Sequence, residues 1–152
     1  MTEQIRKLVQ NEKFCVLATA SENKPYCSLM AYAPEEDCKK IYMVTHKNTV
    51  KYENLIENSA VSLLIDTREE KDKSQNNITK ALTITGHFFE IKNESVRLKA
   101  RDFLHRRHPD LGVFLDHPQA FIFGVEVQSF LLLEGFTDSH YEVISSPRDV
   151  EK

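Results

Sequence analysis

Four residues near the middle of the chain have side chains that could together hold a phosphate group. Thr45, Lys47, Thr49 and Lys51 alternate along the segment VTHKNTVK, between the apolar run IYMV and the helical pattern VKYENLIEN. A bound phosphate needs several directed donors and one or two positive charges, and helix N-termini suit it because free backbone N–H groups converge there. This joint between a strand and a helix therefore predicts an anion site.

The position of Lys51 supports the anion interpretation. Lys51 falls in the first turn of the predicted helix, where the helix dipole already places about half a positive charge. A cation is disfavoured there unless something negative binds nearby. A plainer interpretation uses the same residues: Thr49 or Asn48 caps the helix and the lysines are simply solvated. The residue types fit both interpretations, and both stay open at this point.

The histidines offer a second kind of chemistry, with a weaker pattern. His105 and His108 lie three apart on a predicted helix and His117 follows, a spacing that metal sites use. Two arginines separate the first pair, no carboxylate is in register with it, and a proline follows at once. We therefore predict no metal site. His46 and His87 are single residues, and we interpret them as surface or cross-strand groups rather than catalytic bases.

The cysteines and the missing motifs narrow the chemistry further. Cys15, Cys27 and Cys38 are an odd number without Cys-x-x-Cys spacing, which argues against a disulfide framework or a cysteine-rich zinc site. Cys15 and Cys27 lie in apolar strands, where a free cysteine is expected to be a small buried hydrophobe. The chain has no Gly-x-Ser-x-Gly, P-loop or Gly-x-Gly-x-x-Gly motif. With 4 glycines, side chains and helix amides must hold any phosphate.

Composition sets the broad class. A chain of 152 residues with 41% hydrophobic and 28% charged residues is typical of one globular domain. A net charge of -3 gives no basic surface for nucleic acid. No run reaches the ~18 apolar residues of a membrane span, and the first residues lack an apolar signal core. We expect a reduced, cytoplasmic protein without nucleic-acid or membrane partners, with a single domain over 1–145 and a disordered tail at 146–152.

Hydrophobic periodicity predicts the elements that must position these residues. Strands are predicted at 14–20, 25–33, 40–45, 59–66, 78–91 and 120–136. Helices are predicted at 2–11, about 48–57 and 94–108, with a short helical turn near 109–118. Asn58 is expected to end the second helix, and the polar segment 67–77 is expected to be an exposed loop. Gly86 in mid-strand predicts a bulge or a close approach by another backbone or a ligand.

Short turns between most strands favour a mainly antiparallel barrel with helices packed outside it. Such a small barrel is filled by side chains, so a sizeable ligand must lie in a surface groove or at a subunit interface. The last strand carries more large apolar groups than one barrel face can bury. We therefore predict that a second subunit covers part of it.

The order of these segments resembles the FMN-binding split-barrel family related to pyridoxamine 5'-phosphate oxidase. The resemblance runs from about Phe14 to Phe136 and is carried by VLATASENKPYCSLMAYA, by KKIYMVTHKNTVKYENLIENSAVSLLID and by LTITGHFFEI. It implies a mainly β fold, a six-stranded antiparallel Greek-key split barrel with flanking helices. It also implies a homodimer with FMN at the subunit interface.

The resemblance assigns roles to particular residues. It implies that VTHKNTVK holds the flavin phosphate, with Thr49 at the hydroxyl position and Lys51 at a phosphate-binding lysine. Residues at the end of the preceding strand would lie beside the flavin, and backbone groups of the second strand would contact its ring. The full set of expected cofactor-binding residues is Ser28, Leu29, Met30, Val44, Thr45, His46, Lys47, Thr49 and Lys51.

Three departures separate this chain from the authentic oxidase. Val50 stands where the oxidase has an arginine beside the phosphate lysine, and Lys47 is the nearest replacement. Ser28 and Ala33 stand where the oxidase has charged residues on the second strand. The arginine-rich C-terminal segment that contacts its substrate has no counterpart. Because those charges recognise an anionic substrate, we do not expect pyridoxamine-phosphate oxidase activity.

Three functions remain open at this point. The first is a small FMN-dependent oxidoreductase acting on a small-molecule redox substrate, of the flavin reductase or oxidase type. The second is a non-catalytic flavin- or haem-binding module on the same barrel, with a histidine as axial ligand of the haem. The third is a structural domain that binds nothing. The sequence does not distinguish FMN from a deazaflavin cofactor, and it names neither the substrate nor the electron donor.

Overall fold

The computed structural model describes residues 1–69 and 78–144, which form four α-helices and eight β-strands. The helices are α1 (Glu3–Asn11), α2 (Val50–Glu57), α3 (Glu94–Arg107) and α4 (Gly112–Asp116), and a 3-10 turn lies at Pro109–Leu111. The strands are β1 (Phe14–Ser21), β2 (Lys24–Ala31), β3 (Ala33–Pro34), β4 (Lys40–His46), β5 (Ala60–Asp66), β6 (Lys80–Glu90), β7 (Ala120–Glu134) and β8 (Asp138–Val143). No helix within the described ranges is long and apolar enough to cross a membrane.

The strands form one curled antiparallel sheet in the order β2-β1-β5-β6-β7-β4-β3, with β8 paired to β7. All the described pairs are antiparallel. Strand β2 pairs with β1, β4 pairs with β3 and β7, and β2 approaches β4 without pairing to it. This arrangement confirms the expected mainly β split barrel with flanking helices.

The predicted number of six strands was too low. Strand β3 has two residues, too few to show any periodicity, and it pairs with Ile41 and Tyr42 of β4. Strand β8 reads DSHYEV, mostly polar, because it is the outer edge strand and its pairing partner supplies the apolar residues. The turn before it is marked by Gly135, whose φ of 65° suits a glycine.

Gly86 confirms the predicted irregularity in β6. The register with β7 shifts between Thr85 and Gly86, so that β7 carries an extra residue at this point. A Cβ atom on Gly86 would lie 2.4 Å from the carbonyl oxygen of Glu126. The bulge therefore requires a glycine, because the β7 backbone occupies the space of any side chain.

Apolar side chains pack in two layers on opposite sides of β4. The larger cluster fills the inside of the curled sheet and includes Ile41, Met43 and Phe123. The smaller cluster lies under α3 and α4, and Tyr42 and Val44 belong to it. Successive residues of a strand point to opposite faces, so β4 is covered on both sides and reads as a continuous apolar run.

The cysteines differ in their surroundings. Cys15 is buried, and burial raises the pKa of its thiol to about 12. Cys38 is also buried, and burial raises its pKa. Cys27 is exposed on β2, so the expectation that it is a buried hydrophobe was wrong. The reason is that β2 is an edge strand whose residues Lys24 to Cys27 are all exposed.

Two predicted segments lie wholly or mostly beyond the described part. The tail at 146–152 lies outside it, as does most of the polar segment 67–77. Thr67, at the start of that segment, is buried rather than exposed. Its backbone N–H donates to the carbonyl of Lys80 at 3.0 Å, and its hydroxyl accepts from the N–H of Lys80 at 2.9 Å.

Arg107 ties the end of α1 to the sheet. Its guanidinium donates to the backbone carbonyls of Gln10 at 2.9 Å, Glu12 at 2.5 Å and Tyr32 at 3.1 Å. The first two carbonyls lie at and just beyond the C-terminal end of α1, where the helix dipole favours a cation. The Tyr32 hydroxyl completes the connection by donating to the carbonyl of Val9 at 2.7 Å.

We expect Arg107→Ala to lower the free energy of unfolding by about 3 kcal/mol, because part-buried carbonyls lose a charged donor. Urea denaturation followed by circular dichroism measures the change. The matched control is Arg106→Ala, since Arg106 is exposed and contacts the Phe103 ring at 5.8 Å. That contact is worth about 1 kcal/mol or less. Equal losses for the two variants would contradict the proposed role of Arg107.

Candidate functional site

Strand β4 and helix α2 are joined by three residues, Lys47 to Thr49, and this joint holds the predicted anion-binding residues. The strand is buried from Ile41 to Thr45 and emerges at His46. Helix α2 begins at Val50, two residues later than predicted, and ends at Glu57, with Asn58 following it as expected. The joint is therefore fixed at both ends by regular structure.

Thr49 is the N-cap of α2. Its hydroxyl accepts from the N–H of Tyr52 at 3.3 Å and donates to the carbonyl of His46 at 2.8 Å. It also lies 3.2 Å from the hydroxyl of Thr45, which is fully buried. Thr49 therefore performs the capping role of the plainer interpretation. The first N–H groups of any helix lack intrahelical partners, so the start of α2 still offers donors.

The two lysines of the joint leave positive charge without a local partner. Lys47 is exposed and Lys51 is half-buried in the first turn of α2. Among the described residues, neither forms an ion pair, although Glu53 lies in the same turn. The helix dipole and the lysines therefore add to one positive field.

Contacts on the inner side of the sheet set the direction of α2. The side-chain amide of Asn54 donates to the hydroxyl of Thr19 on β1 at 3.1 Å, and both residues are buried. Leu55 is buried in the main core, and the Tyr52 ring meets Phe121 edge-on at 5.0 Å. The patterns considered above did not predict this docking, although a polar residue such as Asn54 within an apolar helix face is the signal that could have indicated it.

The side chains of Val44 and His46 lie on the other side of β4 from Thr45. Val44 packs in the smaller apolar cluster. The His46 ring stacks on Phe114, with centroids 3.8 Å apart, and on His117, with centroids 4.5 Å apart. His46 therefore meets the joint through its backbone, while its ring belongs to the layer under α4.

Strand β2 carries the remaining predicted site residues. Ser28 is half-buried, Leu29 is 74% exposed and Met30 is buried in the core. Because β2 pairs on one side only, with β1, its other edge leaves backbone N–H and C=O groups unpaired in the sheet. Strands β2 and β4 border the opening of the curled sheet, so the two groups of predicted site residues lie on the two strands beside that opening.

The other histidines have separate surroundings. His108 is buried, its Nε2 lies 2.9 Å from the carbonyl of Tyr32, and burial lowers its pKa. The Nδ1 atom of His117 accepts from the N–H of Gln119 at 3.0 Å, and His105 is exposed. Within residues 1–69 and 78–144, no three histidine, cysteine or carboxylate residues form a group that could hold a metal ion.

Solved structures of similar fold come from several bacteria. A haem-binding protein from Mycobacterium smegmatis has a TM-score of 0.80 and 15% sequence identity to this chain. The match covers 93% of this chain and 57% of the M. smegmatis chain. This chain thus spans little more than half of that protein. An FAD-binding protein from Mesorhizobium loti has a TM-score of 0.69 and 16% identity, covering 87% and 94%. The haem storage protein HutZ from Vibrio cholerae has a TM-score of 0.70 and 16% identity, covering 86% and 92%.

These identities are low enough to show the fold alone. No curated protein matches the chain in sequence. The family model described as pyridoxamine 5'-phosphate oxidase matches residues 1–121, which include the curled sheet up to β6, the joint before α2 and the start of β7. The chain therefore belongs to the pyridoxamine 5'-phosphate oxidase family.

Proposed function

We propose that this protein is an FMN-binding flavoprotein that places the flavin phosphate at the start of α2. The observation that supports the proposal most directly is the pair of lysines, Lys47 and Lys51, at the N-terminus of α2, neither of which forms an ion pair within the described residues. A phosphate dianion between the lysines and the first-turn amides would remove the electrostatic conflict and satisfy the amides. Family membership makes a flavin phosphate the natural candidate.

The residues present fit a phosphate in spite of one missing cation. Val50 is 51% exposed at the first helical position, where the authentic oxidase is expected to have an arginine. Lys47 is exposed three residues earlier and can supply the second charge. The Thr49 hydroxyl donates a hydrogen bond to the backbone carbonyl of His46. We therefore assign Thr49 the role of N-cap, which holds the first-turn amides of α2 in place.

The flavin ring is proposed to lie at the opening between β2 and β4. Backbone groups at Ser28, Leu29 and Met30 would bond its polar edge, with Val44 and Thr45 beside it at the end of β4. A bound flavin supplies the redox chemistry itself, so the protein has to bind, orient and shield it. No side chain needs to act as an acid or base, which suits a small oxidoreductase of the flavin reductase or oxidase type.

The second part of the proposal is a homodimer. The sheet has an outer face, defined here as Phe14, Leu29, Leu133, Tyr141 and Val143, whose members are 56%, 74%, 39%, 62% and 65% exposed. Register places all of these side chains on the side of the sheet opposite the main core. An apolar face of this kind is typical of a protein interface, and the family resemblance implies a second copy.

Three free cysteines also fit a reducing, cytoplasmic setting.

An absorbance spectrum tests the cofactor. The protein is purified, FMN is added, and unbound ligand is removed by desalting. We expect the two bands of oxidised flavin to remain with the protein in near-equal molar amount. A nicotinamide donor is then added without oxygen, and bleaching of the flavin band would support an oxidoreductase. A colourless protein after desalting would contradict the proposed cofactor.

Haem is the second candidate, because two of the structurally similar proteins are named for haem binding or storage. A histidine is the expected axial ligand. His87 is exposed on β6, and its register with Ala60 places it on the outer face side of the sheet. Its Nδ1 lies 3.4 Å from the Ser59 hydroxyl, which leaves Nε2 directed elsewhere. A Soret band that His87→Ala abolishes would favour haem over FMN.

A further inference from the structure

The ring of His46 has favourable stacking contacts but also a buried nitrogen without a hydrogen-bond partner among the described residues. It stacks on Phe114 at an interplanar angle of 12° and on His117 at 19°. Its Nε2 atom is buried and has no hydrogen-bond partner among the described residues. A buried unpaired nitrogen costs free energy, so a hydrogen bond from Nε2 does not explain the placement of the ring. The stacking contacts are what hold it.

His46 is also the last residue of β4, directly before the joint that leads to α2. The carbonyl of His46 accepts from the Thr49 hydroxyl at 2.8 Å, and that hydroxyl accepts from the N–H of Tyr52 at 3.3 Å. On the other side, the N–H of Lys47 donates to the carbonyl of Gln119 at 3.0 Å. The backbone of the joint is therefore held between the cap of α2 and the segment that follows α4.

We propose that His46 is a positioning residue, and that its stack with Phe114 couples α4 to the geometry of the anion site. The stack fixes the His46 backbone, the His46 carbonyl fixes the Thr49 hydroxyl, and Thr49 fixes the first turn of α2. For its ligand the inference rests on the proposed function. The positioning of the joint is a property of the protein alone and is measured without ligand.

The physical reason is the precision that a phosphate site needs. Amides and an ammonium group bind an anion well only when they converge within about 0.5 Å of the productive geometry, and supporting contacts provide that precision. Removing the His46 ring leaves a void between Phe114 and His117. The joint then loses its contact with α4 and is held by the pairing of β4 with β7 and by the docking of α2. A phenylalanine ring keeps the stack and eliminates the unpaired nitrogen.

The test compares His46→Ala, Phe114→Ala and His46→Phe, with Val113→Ala as the control, since Val113 is 87% exposed beside Phe114. FMN affinity is measured by quenching of flavin fluorescence. We expect the first two variants to bind FMN about tenfold more weakly, and His46→Phe and Val113→Ala to stay within about twofold of the parent protein. The double variant His46→Ala with Phe114→Ala should add little to either single change, because both remove one stack.

Amide hydrogen exchange in the absence of FMN provides the independent measurement. We expect the amides of Lys47 and Tyr52 to exchange at least about tenfold faster in His46→Ala and at the parent rate in His46→Phe. If the parent protein binds no FMN but exchange still rises, the ligand proposal fails and the positioning role stands. If His46→Ala only lowers the melting temperature, leaving exchange and affinity unchanged, the positioning role is overturned.

Discussion

Lys51→Ala is expected to weaken FMN binding by about ten- to hundredfold while leaving riboflavin binding unchanged. A charged hydrogen bond to phosphate is worth about 1.5–3 kcal/mol, which corresponds to this range of affinity. Riboflavin has the same ring without the phosphate, so it reports any indirect damage to the ring site. Titration of both ligands by fluorescence quenching gives the two dissociation constants.

The comparison separates the two interpretations of the joint. If Thr49 and the lysines form only a helix cap and a solvated surface, Lys51→Ala should change neither constant. Removing a cation from a helix N-terminus should then slightly raise the stability of the free protein, by up to about 1 kcal/mol. Lys92→Ala is the matched control, because Lys92 is an exposed lysine between β6 and α3. Equal weakening of FMN and riboflavin would contradict a phosphate contact.

Lys47 gives a graded version of the same measurement. Its side chain is exposed, whereas Lys51 is half-buried, so solvent and salt should screen its interaction more strongly. The loss of FMN affinity for Lys47→Ala is therefore expected to be smaller than the loss for Lys51→Ala and to shrink as ionic strength rises.

Restoring an arginine by Val50→Arg should tighten FMN binding if Val50 marks a missing phosphate contact.

The joint before α2 could be predicted from sequence because its signals are local. An apolar run, a threonine, and a lysine in the first helical turn lie within a dozen residues, and charge and capping act over that range. The β6 irregularity at Gly86 was predictable for the same reason. The predictions that failed depend on neighbours distant in sequence: Cys27 is exposed because β2 is a sheet edge, and β8 forms because β7 offers a partner.

The supporting contacts of the fold and of the site could not be predicted, because they also join residues that are distant in sequence. Nothing in the sequence distinguishes Arg107, which donates to three backbone carbonyls, from its neighbour Arg106, which is exposed. Phe114 lies 68 positions after His46 and stacks on it only because β7 pairs with β4 and brings the α4 segment to the end of that strand. Side-chain type indicates which groups could bind an anion, and topology decides what holds them in place.

A charge on the outer face should convert the proposed dimer to a monomer. Leu29→Glu and Val143→Glu lie on β2 and β8, five strand spacings apart in the sheet. In a symmetric dimer each substitution occurs twice, and an unpaired charge buried at an interface costs several kcal/mol. The dimer dissociation constant should rise at least about a hundredfold, measured by sedimentation velocity across a concentration series. Val113→Glu, at an apolar residue on α4 that is more exposed than either Leu29 or Val143, should leave the proposed dimer intact.

The same variants test whether the cofactor depends on the second copy. Val143 lies on β8, whereas the proposed site residues lie on β2, β4 and the start of α2, so Val143→Glu touches no proposed contact. If FMN lies at a subunit interface, this variant should lose FMN when it dissociates and regain it as protein concentration drives dimer formation. A monomeric Val143→Glu protein that binds FMN as tightly as the parent would place the complete site within one chain. If the parent protein is itself monomeric at micromolar concentration, the proposed dimer is wrong and a second copy does not cover the outer face.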